Sequence, residues 1–189
     1  MDINRFKTKL GGGIYPSLFR IDTNSNVFSD NDKQNLAFLC TAANLPPSNL
    51  GEITVNHRGR QVYLPGFRTF EPWTITILSD ENMSIRTAFE KWVDRLDGAR
   101  DHVSDDVNFN LGTNTGLFSN WTVTQLDRQG KAIKAYRLDA CFPTSVSDIA
   151  LSAESTDLAS FNVTLRYQYH RTTGLPFPNG GVGKGFNDE

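Results

Sequence analysis

Cysteine is scarce. Cys40 and Cys141 are the only two in 189 residues, too few for the disulfide framework of a small secreted domain. Each sits in a strand-like run, where a free thiol packs as a small core hydrophobe, and synthesis in a reducing compartment is the simplest setting. No apolar run approaches the roughly 18 residues that a membrane-spanning helix needs. The first ten residues are polar and basic, without the apolar stretch of a secretory signal. Positive charge is not in excess either: 19 Lys and Arg against 21 Asp and Glu leave a formal net charge of -2. That balance argues against a protein held to nucleic acid by a basic surface.

Chemical motifs are missing as well. The three histidines, His57, His102 and His170, are far apart and form no HxH, HExxH or Cys/His metal spacing. No GxSxG elbow or P-loop occurs. Gly180-Gly181-Val182-Gly183-Lys184 follows no strand and opens no helix, so it reads as a flexible tail. Asp105 and Asp106 would suit a cation or a carboxylate pair, but on a Gly/Asn-rich loop they read more simply as solvated acids. Asn120-Trp121-Thr122 and Asn162-Val163-Thr164 match a glycosylation sequon that means nothing without a secretory signal. The expectation is a protein with no enzymatic activity, cofactor or metal.

What the chain does have is alternation. Its hydrophobic content of 38% suffices for one core. Residues 1–16 read as a flexible arm hinged at Gly11-Gly12-Gly13, residues 17–170 as one domain and residues 171–189 as a Gly/Pro-rich extension. Strands are expected at 18–22, through Leu36, Phe38, Cys40 and Ala42, at 73–77, at 121–126, through Tyr136, Leu138, Ala140 and Phe142, weakly at 146–151, and at 161–169. Residues 23–35 and 99–120 read as loops, the latter long, and Pro46, Pro65 and Pro143 as strand ends. One helix, at about 83–97, carries Ile85, Ala88, Phe89, Trp92, Val93 and Leu96 on one face, with Asp80, Asn82 and Ser84 as candidate caps and Gly98 as a stop. The sum is a mainly β fold: an antiparallel barrel or sandwich with one helix.

The distinctive block is a hairpin, residues 53–55 and 61–64 around His57-Arg58-Gly59-Arg60. It is followed by Leu64-Pro65-Gly66-Phe67-Arg68-Thr69-Phe70-Glu71-Pro72-Trp73 and then by the strand and helix. Arg58, Arg60 and Arg68 form a basic group that Glu52 and Glu71 can balance, a mixture suited to ion pairs between subunits. Together with Leu45-Pro46-Pro47, then Asp80, Arg86, Phe89 and Trp92, then Phe142-Pro143-Thr144-Ser145-Val146 and the run from Phe161 to Tyr169, this order of motifs resembles the tail tube proteins of contractile-tailed bacteriophages.

The resemblance implies a structural virion protein whose six-membered rings stack into the inner tail tube, the conduit for genome ejection inside a contractile sheath. It implies partners: further copies of the chain, the tail sheath protein, the baseplate or tube initiator, the tape measure protein and the tail terminator, with phage DNA passing through the lumen without specific binding. The location implied is the virion tail, assembled in the host bacterial cytoplasm. Type VI secretion tubes and baseplate initiator rings share the implied fold and stay open as alternatives. The 99–120 loop and the 171–189 extension exceed what a minimal tube subunit needs, and would decorate the sheath side, clasp rings or mark an initiator. Contacts between subunits and rings are expected at Ile14 and Tyr15 of the arm, at Asn56, His57, Arg58, Gly59 and Arg60 of the hairpin tip, and at Arg68, Glu71 and Asp80. A ligand-binding barrel, monomeric with an apolar cavity, is the alternative of another class.

Overall fold

The computed structural model describes residues 2–11, 13–97, 117–152, 154 and 156–173. Among them are helices α1 (Ile3–Leu10), α2 (Asp30–Leu39) and α3 (Ser84–Leu96) and strands β1 (Phe19–Thr23), β2 (Cys40–Ala43), β3 (Asn49–His57), β4 (Arg60–Thr69), β5 (Trp73–Leu78), β6 (Ser119–Leu126), β7 (Ala132–Val146), β8 (Ser160–Arg166) and β9 (Tyr169–Thr173). All strand pairs are antiparallel. The expected mainly β, antiparallel class is therefore what the chain adopts.

The main sheet runs in the order β1-β6-β7-β8-β5-β2, with β9 also paired to β7, while β3 and β4 pair only with each other. The 15-residue β7 is shared. Its first part pairs with β6 and β9, and its stretch from Phe142 to Val146 pairs with β8. At Ala140 the backbone takes φ +53°, a rare conformation for a side chain with a Cβ. The Ala140 N–H is held by Asn120 Oδ1 at 3.0 Å. The bend there turns one long strand into the edge between two layers.

Aromatic rings fill the space between the layers. Trp73 of β5 and Trp121 of β6 meet at 6.0 Å between centroids. Phe89 of α3 stacks on Trp121 at 6.1 Å, and Phe28 stands edge-on to Phe89 at 4.9 Å. Each indole N–H has an acceptor: Asn44 carbonyl for Trp73, Leu117 carbonyl for Trp92 and Ser119 Oγ for Trp121. Buried rings so satisfied contribute fully, since truncation of one costs about 3–5 kcal/mol. The alternation read at β5, β6 and β8 appears directly as alternating burial. So does the helical stripe on α3, where Ile85, Ala88, Phe89 and Trp92 are buried.

Several expectations are corrected. Among the described residues there are three helices, not one. Leu36 and Phe38 lie on α2 and not on a strand, because Ser29 and Asp32 close a capping box that starts the helix at residue 30. Leu36 is buried, Phe38 is 86% exposed, and the strand begins only at Cys40. The loop expected at 23–35 is thus half helix. The arm expected to be flexible is helical over Ile3–Leu10, capped by Asp2. Pro65 and Pro143 do not end their strands: each sits where the register shifts, and a bulge tolerates a missing N–H. Residues 147–151 form no strand. The run expected at 161–169 divides at Tyr167-Gln168 into β8 and β9, so β9 occupies the start of the expected extension. Met83, in the left-handed region at φ +50°, holds the cap position of α3 without a side-chain bond, while Asp80 Oδ2 accepts from the Ser84 N–H at 3.0 Å. Gly98, residues 99–116 and the tail after residue 173 lie outside the described residues. The end of the 99–120 segment is already β6, with Leu117 buried ahead of it.

Cys40 and Cys141 are free and buried, as expected. Burial pushes the Cys40 thiol up to about 11 and that of Cys141 further in the same direction, so neither is a thiolate near neutral pH. An aromatic disulfide reagent at pH 8 is expected to leave both unmodified in the native protein and to titrate both in guanidinium. Native labelling at the unfolded rate would contradict the burial.

Candidate assembly surface

β3 and β4 form a ribbon that stands apart from the core. Direct partners across it are Ile53 with Leu64, Val55 with Val62, and His57 with Arg60 on one face. Partners on the other face are Thr54 with Tyr63 and Asn56 with Gln61. Opposite residues of an antiparallel pair share a face, so one face is aliphatic and the other polar. Yet Ile53, Val55, Val62 and Leu64 are 45–49% exposed, and nothing among the described residues covers them. Two-stranded ribbons are marginal by themselves in water, and this one presents its apolar face to solvent.

Two local devices shape the ribbon. At the tip, Arg58 and Gly59 have φ +48° and +78°, the pair of positive values that a two-residue hairpin of the right twist requires. At the root, the register shifts between Leu50 and Glu52, and the strands approach so closely that a Cβ on Gly66 would meet the Gly51 carbonyl oxygen at 3.0 Å. Any larger residue there would press on the Gly51 backbone, which would have to shift. Just beyond this bulge Phe67 stands 87% exposed and Leu50 61% exposed.

The residues expected at contacts fall into four places. Asn56, His57, Arg58, Gly59 and Arg60 are together at the exposed tip. Arg68 lies at the root, opposite Leu50, so the three arginines do not form one cluster. Among the described residues neither Arg58, Arg60 nor Arg68 has an ion-pair partner. Glu71 accepts from Asn49 Nδ2 at 2.6 Å, tying the end of β4 to the start of β3. Asp80 is occupied at the start of α3, as described above. Burial raises its carboxyl, but hydrogen bonds from the Ser84 and Ile85 N–H groups outweigh this and hold it below the usual range. Ile14 is exposed. Tyr15 packs under the Arg128 guanidinium, 4.5 Å from the ring centre, and its carbonyl accepts from Gln125 Nε2 at 2.8 Å. Sequence reasoning did not single out the aliphatic face, Phe67, or the stripe Ile3, Phe6 and Leu10 on α1. Alternation in the hairpin was legible, but alternation alone does not distinguish a face turned to the core from one turned outward.

Among the described residues no group of three or more His, Cys, Asp or Glu is placed to hold a metal ion. The most buried charge is Asp139, which pairs with Arg137 at 2.8 Å and Arg171 at 3.2 Å and so links β7 to β9. Its neighbour His170 stands edge-on to Phe70, Tyr136 and Tyr167. Burial and the nearby Arg68 lower its affinity for a proton. These contacts lock strands together. The interior that a ligand-binding barrel would reserve for its guest is filled by the aromatic cluster.

Fold and surface define a structural protein, a β-sandwich with a packed core and an uncovered apolar ribbon. The chain belongs to the phage tail tube protein family, whose model matches residues 3–173. It is 28% identical to the tail tube protein gp19 of Enterobacteria phage T4 over 138 residues, covering 72% of this chain and 81% of that one. It is 25% identical to the tail tube protein of Serratia phage KSP90 over 171 residues, covering 87% and 93%. Among solved structures it shares the fold of a chain in the anti-feeding prophage baseplate, 6-fold symmetrised (TM-score 0.62, 13% identity, 85% and 95% covered). It also shares the fold of a chain in the sheath-tube complex of the extracellular contractile injection system PVC (TM-score 0.52, 13% identity, 88% and 96% covered). The protein is thus a structural component of the virion tail and not an enzyme. Among the described residues no helix is long and apolar enough to cross a membrane.

The turn geometry is open to test. Gly59→Val places a β-branched side chain at φ +78°, where such residues are strongly disfavoured. The unfolding midpoint of the isolated subunit is expected to stay near wild type, because the ribbon adds nothing to the core, while assembly measured by light scattering falls. Equal assembly by the variant would separate the tip from the assembly surface.

Proposed function

We propose that six copies of this chain close into a ring and that the rings stack into the tube of a contractile tail, through which the genome leaves. The observation that carries this reading is the aliphatic face of the ribbon. Fully burying one Ile, Val or Leu side chain contributes about 1.5–3 kcal/mol, and four half-exposed ones leave several kcal/mol to be gained by contact with another copy. Such a contact joins different surfaces of identical subunits, and it closes into a ring when the rotation allows. Strand edges at β1, β2 and β9, unpaired among the described residues, add hydrogen-bonding groups for the same purpose.

In this reading Asn56, His57, Arg58, Gly59 and Arg60 bear on the next ring at the ribbon tip, and Arg68, Glu71 and Asp80 lie along the same contact. Ile14 and Tyr15 sit where the arm leaves the sandwich. The relatives support the arrangement: one solved chain comes from a six-fold baseplate and another from a sheath-tube complex. Sheath, baseplate or initiator, tape measure and terminator are the partners proposed here. A near-neutral subunit suits a conduit, because strong phosphate contacts repeated at every ring would hold the DNA in place.

Negative-stain electron microscopy of the purified protein across a concentration series is expected to show six-fold rings or hollow tubes. The double variant Ile53→Lys, Val62→Lys is expected to keep the wild-type unfolding midpoint and to lose those particles. Tubes of normal appearance from that variant would overturn the reading.

A further inference from the structure

Helix α1 is left without a surface to lie on. Its Ile3, Phe6 and Leu10 recur at the spacing of one helical face and are 57–65% exposed, and no residue of it is buried. A helix of this length is marginal by itself in water, yet both its ends are closed. The Asp2 carboxylate accepts from the Asn4 N–H at 3.0 Å, and Gly11 donates its N–H to the Lys7 carbonyl at 3.1 Å. At 3.6 residues per turn Lys7 and Lys9 stand on either side of the apolar stripe, with Arg5 behind it. Among the described residues none of these three cations has an ion-pair partner. Asp2, the one acid in the first ten residues, serves as the cap.

A second surface has the opposite charge and an apolar content of its own. Between β7 and β8, residues 147–158 hold Asp148, Glu154 and Asp157 and no Lys or Arg. Leu151 and Leu158 in this segment are 89% and 78% exposed. Asp148 and Glu154 are exposed, and neither is ion-paired among the described residues. The Ser79 N–H donates to the Ala159 carbonyl at 2.8 Å, which brings the stretch with Asp80, Glu81 and the exposed Met83 to the same end of the sandwich. The cation that touches the segment is Arg86, through Nη1 to the Ser147 carbonyl at 2.9 Å. Its carboxylate partner is Glu90, so it leaves Asp148 and Glu154 uncompensated.

The two surfaces belong to opposite ends of β7. The arm is fixed beside the start of that strand: Leu126 pairs with Ala132, and its N–H donates to the Leu18 carbonyl at 2.8 Å. The acidic segment continues from the last residue of the strand, Val146. A contact between them joins one end of a subunit to the other end of the next, the heterologous geometry from which rings and stacks are made. Building on the ring reading, we propose that α1 of one copy docks, apolar stripe first, against the acidic 147–158 segment of a second copy. Leu151 and Leu158 then meet the stripe, and the cations of α1 meet Asp148 and Glu154.

The test uses the full-length chain. Chains carrying Lys7→Cys are mixed with chains carrying Ala150→Cys, assembled, and oxidised mildly. Both positions flank the proposed contact without removing its large apolar residues, and the native thiols are buried. A disulfide between positions 7 and 150 is expected, identified by peptide mass. Adding Arg5→Glu and Lys9→Glu to the first chain is expected to lower its yield about tenfold at low salt. Adding Asp148→Lys and Glu154→Lys to the second chain should then restore it, with unfolding midpoints unchanged because all four side chains are exposed. A yield that the reversal leaves alone, or that the swapped pair does not recover, would overturn the proposed occupant. Assembled rings that give no such bond would overturn the docking and leave the ring reading intact, as would a chain carrying both cysteines that closes the bond only within itself. Wild-type protein that never forms rings or tubes by electron microscopy would overturn both.

Discussion

A two-stranded ribbon cannot cover its own apolar face. Ile53, Val55, Val62 and Leu64 point the same way from a hairpin that pairs with no other strand, and hydrophobic burial is the largest favourable quantity the chain can still gain. The rest of the structure is arranged around that deficit. The glycines at its root let the strands cross closely, the positive-φ pair at its tip turns the chain in two residues, and Glu71 fastens its base to Asn49. These features make a defined ribbon and leave it exposed.

The sandwich, in contrast, is complete. Trp73, Trp121, Phe89, Trp92 and Phe28 join the two layers and α3 in one cluster, and Leu36 of α2 belongs to the same core. The shared strand β7, bent at Ala140, ties the layers together. Asp139, between two arginines, secures β9 on the same strand. A subunit with a self-sufficient core and an uncovered apolar appendage suits the ring-and-tube assembly proposed above.

Where one face of a strand meets the core, the pattern was legible: β5, β6 and β8 alternate because their inner residues touch the aromatic cluster, and α3 shows its stripe for the same reason. The hairpin and its Gly turn were legible from local chemistry. α2 was misread because Leu36, Phe38 and Cys40 happen to alternate, and the deciding feature was the capping box upstream at Ser29 and Asp32. Pro65 and Pro143 were misread as strand ends because bulges depend on the partner strand, which local sequence does not show. The proposed assembly surface was only half legible as a piece of structure. The tip residues could be named from their turn, but whether Ile53 and Val62 face a core or open solvent depends on what the fold places opposite them. Among the described residues it places nothing there.

Hydrogen exchange read by mass spectrometry, on the dissociated subunit and on the assembled protein, tests the central claim most directly. The account predicts that ribbon amides in Asn49–His57 and Arg60–Thr69 exchange fast in the subunit and become protected on assembly, while those of β5 and β8 are protected throughout. A ribbon that exchanges equally fast in assembled particles would contradict it, because its aliphatic face would then have no partner even in the tube.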